Sequence, residues 1–171
     1  VDSEGRPFSN RMLSGYYYLI YFGYTRCPDV TPSTLYYLSS VYRIIRNLPE
    51  GAYLKFKVVF VSLDPERDTP KVMKEYLLNF GKNLIGVTGN GPNDLDLKEC
   101  LKKFKINTKK IEKATAHNPK DYLLDSTARV CLMDPDNKYL YHLDPSLSEQ
   151  QTAKAILTKI ISNEHMKEKI S

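Results

Sequence analysis

Residues 16–32, YYYLIYFGYTRCPDVTP, decide the fold. From Tyr16 to Tyr24 the run is aromatic and apolar, the pattern of a strand buried on both faces inside a parallel sheet. It breaks directly into a short loop carrying Cys27, and beyond the loop the chain turns helical. Thr31 is placed to cap that helix and Pro32 to occupy its first turn, and Leu35, Leu38, Val41, Tyr42 and Ile45 recur at helical spacing until Pro49 and Gly51. A thiol in such a loop is exposed, sees the partial positive charge of a helix start and has Arg26 beside it, with Asp29 opposing. Its pKa is expected to fall and its thiolate fraction to rise. Cys27 is therefore the first candidate reactive residue.

Outward from this unit the alternation continues. Residues 55–63, KFKVVFVSL, repeat the buried-strand pattern, and after the polar loop DPERDTP a helix is predicted from Pro70 to about Phe80, with Thr69 as its start signal. Leu84 to Val87 reads as a short strand, ended by the turn-rich TGNGPN, and Leu95, Leu97, Leu101 and Phe104 mark a third helix. Lys105 to Asp121 is polar and aperiodic and is read as a long loop or irregular hairpin. ARVCLMD and KYLYHL, separated by Pro135-Asp136-Asn137, predict an antiparallel hairpin, and Ser148 to Met166 a closing amphipathic helix. The whole predicts an α/β, thioredoxin-like fold over residues 1–171: one domain with a central mixed sheet, flanking helices and a reactive cysteine after the first central strand.

Composition agrees with one core. A chain of 171 residues with 42% hydrophobic and 26% charged residues is ordinary for a globular domain. No run approaches the roughly 20 apolar residues that cross a bilayer. The chain opens on Val1, so any membrane attachment is assigned to a segment absent from this sequence. Three cysteines at wide spacing fit neither a disulfide scaffold nor a zinc ribbon. Cys100, Cys131 and Met133 are read as core residues. The net charge of +5 is concentrated in Lys98, Lys102, Lys103, Lys105, Lys109, Lys110, Lys113 and Lys120. This run lacks the interleaved aromatics and arginines of nucleic-acid readers and is read as a solvated face, with no nucleic-acid partner expected. In DPERDTP, Asp64, Arg67 and Asp68 are expected to organise the loop by hydrogen bonds. Tyr36, Tyr37 and Tyr42 are read as a partly buried helix face.

Four stretches resemble one family, the Sco/SenC proteins, thioredoxin-fold copper metallochaperones of cytochrome c oxidase assembly. They are Phe22–Val30 (FGYTRCPDV), Val61–Pro70 (VSLDPERDTP), Gly86–Gly89 (GVTG) and Asp121–Asp125 (DYLLD), and the likeness runs nearly end to end. The resemblance implies a domain tethered to the mitochondrial inner membrane and facing the intermembrane space, or to the plasma membrane of a prokaryote. Its implied work is to deliver copper to the oxidase or maintain its copper-site thiols, with the copper-bearing subunit of the oxidase or another assembly factor as partner. The family's copper ligands are two cysteines of a CPDVCP motif and a histidine following the aspartate of the last stretch. This chain keeps Cys27 and has Thr31 and Ser126 at the other two positions.

Monovalent copper prefers thiolate, thioether or imidazole, and a neutral hydroxyl is a poor replacement. Loss of the second cysteine also removes the thiol that would resolve an intraloop disulfide. His117, nine residues before Ser126, is the candidate substitute ligand, while His142 and His165 are read as surface histidines. The leading expectation is thus a non-enzymatic, Sco-like oxidase-assembly protein with a degenerate copper site and a binding or regulatory role. Two alternatives stand beside it: a one-cysteine thiol redox enzyme using Cys27 and an external thiol, and copper delivery through a site shared between chains.

Overall fold

The computed structural model describes residues 1–52, 54–112, 118, 121–127 and 129–170. Its centre is β1 (Tyr17–Gly23), in which every residue is buried. A strand can be apolar throughout only if both faces of its sheet are covered, and here both are. To one side lie β2 (Phe56–Ser62), parallel to β1, and β3 (Leu84–Val87), parallel to β2. To the other lie β6 (Val130–Met133), antiparallel to β1, and β7 (Tyr139–His142), antiparallel to β6, giving the order β3-β2-β1-β6-β7. The mixed thioredoxin-like sheet expected from the sequence is present.

Alternate residues of β1 feed two cores, as the period-2 geometry of a strand requires. Tyr17, Leu19 and Tyr21 pack with Leu35, Leu38, Val41 and Ile45 of α1 (Val30–Asn47), Met73 and Leu77 of α3 (Pro70–Leu77), and Ala153, Ile156 and Ile160 of α5 (Glu149–Ile170). Tyr18, Ile20 and Phe22 pack on the other face with Leu13, Val59, Val61, Cys131 and Met133, under Leu97, Cys100 and Leu101 of α4 (Leu95–Lys103). The short α2 (Pro49–Ala52) closes the connection to β2. No helix among the described residues is long and apolar enough to cross a membrane.

One helix start follows the predicted chemistry, one was not anticipated from the sequence, and a third departs from its prediction. Thr69 accepts from Val72 N at 3.4 Å with Pro70 opening α3, and Asp94 accepts from Leu97 N at 2.8 Å to cap α4. At α1 the cap position belongs to Asp29, whose side chain makes no capping bond, and Thr31 sits inside the first turn with its hydroxyl turned into the protein. The expectation of Thr31 as cap is corrected. The reason is geometric: this hydroxyl has buried partners at the end of β1.

The segment read as a long loop or irregular hairpin proves to open a hairpin. β4 (Thr108–Glu112) pairs antiparallel with β5 (Tyr122–Ser126), and His117, Lys113 and Lys120 of the connection lie outside the described residues. Lys98, Lys102, Lys103, Lys105, Lys109 and Lys110 are exposed, Lys103 pairs with Glu99, and Lys110 pairs with Glu66, as a solvated face requires.

Candidate functional site around Cys27

The Cys27 loop leaves the sheet at Gly23, and three anchors fix it. Thr25 donates through its backbone N–H (3.0 Å) and its hydroxyl (2.6 Å) to the carboxylate of Asp68, which also accepts from Ser62 Oγ at 2.6 Å. Cys27 N donates to Tyr24 O at 3.2 Å. Tyr24 Oη accepts from Leu124 N at 3.2 Å, which ties the loop to β5. Gly23 is required here because a Cβ at that position would lie 2.7 Å from Thr31 Oγ1, 3.0 Å from the Tyr21 ring and 3.1 Å from that of Phe60.

Cys27 is half-buried, and its sulfur accepts from Thr31 N at 3.5 Å. Burial pushes the thiol pKa up, yet the backbone N–H groups of Thr31, Asp29 and Val30 and the Thr31 hydroxyl outweigh it, so the net shift is downward from 9.0. The predicted direction holds and the predicted agent does not. Arg26, exposed on the loop, is not among the principal contributors, and Asp29 acts through its amide, which favours the thiolate, rather than through its charge.

Thr31 is 2% exposed, and its hydroxyl accepts from Tyr24 N and from Tyr21 Oη, each at 3.4 Å. It is a structural hydroxyl that also touches the thiol. Ser126 is half-buried on β5, paired with Thr108, two residues beyond the Leu124 that bonds Tyr24. Among the described residues no three Cys, His, Asp or Glu side chains gather as a metal group would need, and the donors near Cys27 are hydroxyls and amides, which do not fit a soft monovalent cation.

Beneath the loop the DPERDTP stretch organises the site as expected. Asp64 and Arg67 are buried and paired, Arg67 Nη1 donates to Tyr122 O at 2.8 Å, and the Tyr122 hydroxyl donates to Asp64 Oδ1 at 2.6 Å. The Arg67 guanidinium also lies over the Tyr122 ring, 3.6 Å from its centroid. Two clamps, Tyr24 with Leu124 and Arg67 with Tyr122, therefore hold β5 against the cysteine loop. Neither Tyr24 nor Tyr122 was singled out from sequence. Their position inside the FGYTRC and DYLLD stretches was the available signal.

The remaining candidates are placed elsewhere. Cys100 is half-buried rather than fully so, with a thiol raised by burial, and Cys131 and Met133 are buried in the second core. His165 is exposed on α5, beside a groove of about 490 Å³ that includes Tyr17 and Glu164. His142 is exposed on β7 and lies against Cys131. Tyr36 is 58% exposed, while Tyr37 donates to Leu147 O at 3.1 Å and Tyr42 stacks on Phe56.

A family profile described as SCO1/SenC matches residues 1–161. A SCO2-like protein of Rickettsia felis is 36% identical over 151 residues, 87% of this chain and 69% of that one. The mitochondrial SCO2 protein of Saccharomyces cerevisiae is 34% identical over 162 residues, 94% of this chain and 50% of that one. The structure of Bradyrhizobium japonicum ScoI with copper bound superposes with a TM-score of 0.79 at 30% identity, covering 93% of this chain and 94% of that one.

Proposed function

The chain belongs to the SCO1/SenC family, and from that premise we propose that it acts in cytochrome c oxidase assembly as a binding or regulatory partner whose copper site is degenerate. The observation that carries this reading is the identity of the donors around Cys27: one activated thiol, with the hydroxyl of Thr31 directed to Tyr24 and Tyr21, and Ser126 on the neighbouring strand. A monovalent copper ion carried as cargo needs two or three soft donors, and this set supplies one. His117 stays a proposed substitute ligand. The partner we infer is the copper-bearing subunit of the oxidase or another assembly factor, and the setting the mitochondrial inner membrane with the domain in the intermembrane space, in keeping with mitochondrial and Rickettsia relatives.

The test is an anaerobic Cu(I) titration against a competing chelator on this chain, on Cys27→Ser, and on Thr31→Cys/Ser126→His. A tightly bound equivalent that the double reversion gains over both the chain as given and Cys27→Ser supports a family fold with its loop metal chemistry lost. Tight one-to-one binding by the chain as given that disappears in Cys27→Ser overturns it.

A second reading, a one-cysteine thiol redox enzyme, is favoured by the lowered Cys27 thiol alone. An external thiol would have to resolve its oxidised form. Cys27 left unaltered by peroxide, read by mass spectrometry, rules this out.

A further inference from the structure

Away from the Cys27 loop, the sheet brings a second thiol against an imidazole. Cys131 on β6 and His142 on β7 are register partners, and Cys131 Sγ lies 3.3 Å from His142 Nδ1. Directly opposed residues in an antiparallel pair have Cβ atoms roughly 5 Å apart, which lets two short side chains meet without distortion. Cys131 is 2% exposed, while His142 is exposed on the edge strand of the sheet. The Tyr139 ring, 4.8 Å from the imidazole centroid to centroid, packs against it and limits its rotation.

Sulfur and Nδ1 share one proton at this contact, whichever atom carries it, so their lone pairs converge on one point. Thiolate and imidazole are both donors that suit copper, and the thiolate selects the monovalent, soft ion. With metal–sulfur and metal–nitrogen bonds of about 2.3 and 2.0 Å, the 3.3 Å separation subtends an angle of about 100° at a bridging ion. That leaves its outward positions open to a further donor from solvent or from a partner.

We propose that Cys131 and His142 form a second soft-cation site, independent of Cys27, that takes up monovalent copper in exchange for the thiol proton. The Sγ–H bond is replaced by an Sγ–metal bond, His142 Nδ1 donates its lone pair to the same ion, and the proton passes to solvent. No oxidation state changes, so no oxidant or reductant is required. A thiol binds a metal as its thiolate, so uptake of the ion releases the proton that the metal-free site holds.

The experiment removes Cys27 first, so its outcome is separate from that of the loop reading. On Cys27→Ser, an anaerobic Cu(I) titration against a competing chelator is expected to show one bound equivalent and about one proton released. His142→Ala in that background should weaken the site at least tenfold, and Cys131→Ser should do the same. The His142 imidazole resonances should shift on Cu(I) addition. Should Cys131→Ser fail to fold, the exposed His142→Ala and the resonance shift still decide. Absence of a bound equivalent in Cys27→Ser, or an equivalent indifferent to His142→Ala, overturns the proposal.

Discussion

Asp68 offers a sharp test of how the cysteine loop is held. Its carboxylate is fully buried and receives the Thr25 N–H, the Thr25 hydroxyl and the Ser62 hydroxyl. Asp68→Ala strands these donors. A fully buried hydroxyl without a partner costs about 1–3 kcal/mol, and each of the two half-exposed Thr25 donors, which water can reach, loses about 0.5–1.5 kcal/mol, so the sum is about 4 kcal/mol. For a chain of this size that lowers Tm by about 8–16 °C. Asp68→Asn behaves differently. The amide oxygen can accept from Thr25 N and Ser62 as Oδ2 does, while the NH₂ faces the Thr25 hydroxyl, which rotates to accept.

The sign of the charge effect follows from titration. Burial raises the Asp68 carboxyl pKa above 3.8, the hydrogen bonds from Ser62 and Thr25 pull it back, and the nearby Asp64 charge adds to the rise. A carboxyl whose pKa rises on folding binds more protons in the native state. Its contribution is therefore fully favourable below the unfolded value and is lost as pH climbs through the folded one. Asparagine carries no such penalty, so the stability difference between Asp68→Asn and the parent should move in favour of asparagine as pH rises from below 3.8 to neutrality. Urea and thermal unfolding at several pH values measure it, with Cys27 alkylation at neutral pH as the functional readout. Asp68→Ala should slow alkylation, because Thr25 is released two residues before the thiol. The reasoning is refuted if Asp68→Asn loses as much stability as Asp68→Ala, since the charge itself would then be what holds the loop.

Three further outcomes follow from the same site. Cys27 should alkylate at a lower pH than Cys100 or Cys131, whose thiols burial raises; pH-rate profiles with mass-spectrometric readout check the order, and equal midpoints for Cys27 and Cys131 would contradict it. Gly23→Ala should destabilise by about 1–3 kcal/mol through overpacking, and Thr31→Ala in the same chain should recover part of that by removing the atom 2.7 Å from the new Cβ, as denaturant midpoints will show. Tyr24→Phe removes the acceptor of Leu124 N, a change of about 1 kcal/mol, and hydrogen exchange at that amide should accelerate while β1 amides stay protected.

What the sequence made legible was whatever periodicity and local turn chemistry encode. The Tyr16–Tyr24 run, the helical spacing of Leu35, Leu38, Val41 and Ile45, and the Thr69-Pro70 start each depend on residues within one element, and each reappears in the structure. The Cys27 loop followed from the same strand-to-helix break, and the resemblance to Sco/SenC proteins singled out DYLLD and Ser126, but β5, which carries Tyr122 to Ser126, was not read as a strand. β4 was hidden because Thr108–Glu112 is short and lysine-rich, so its strand character comes from pairing with β5 rather than from its own side chains. Thr31 was misread as a cap because cap chemistry is local, whereas its hydroxyl is claimed by Tyr21 and Tyr24. Thr25 and Asp68 are 43 positions apart, and Tyr24 and Leu124 are 100 apart, so no pattern within either segment announces the bond. The Cys131–His142 contact was equally hidden, because it depends on a hairpin register that shifts between Leu132 and Met133.

The devices that activate Cys27 are separable from those that would hold a metal. The thiol is lowered by three main-chain N–H groups at the start of α1, which survive any side-chain change that leaves the loop folded. The loop in turn is held by Asp68 from below and by Tyr24 against β5. In the function proposed above, the metal affinity of this loop would instead reside in the side chains at positions 31 and 126, where this chain carries hydroxyls. On that reading the loop keeps a nucleophilic sulfur without further soft donors beside it. A single thiolate can form a mixed disulfide with a partner, but without a neighbouring thiol nothing within the loop resolves it, so release depends on a thiol brought from outside. That asymmetry favours capture and holding of a partner over turnover, which is the chemical content of a binding or regulatory role.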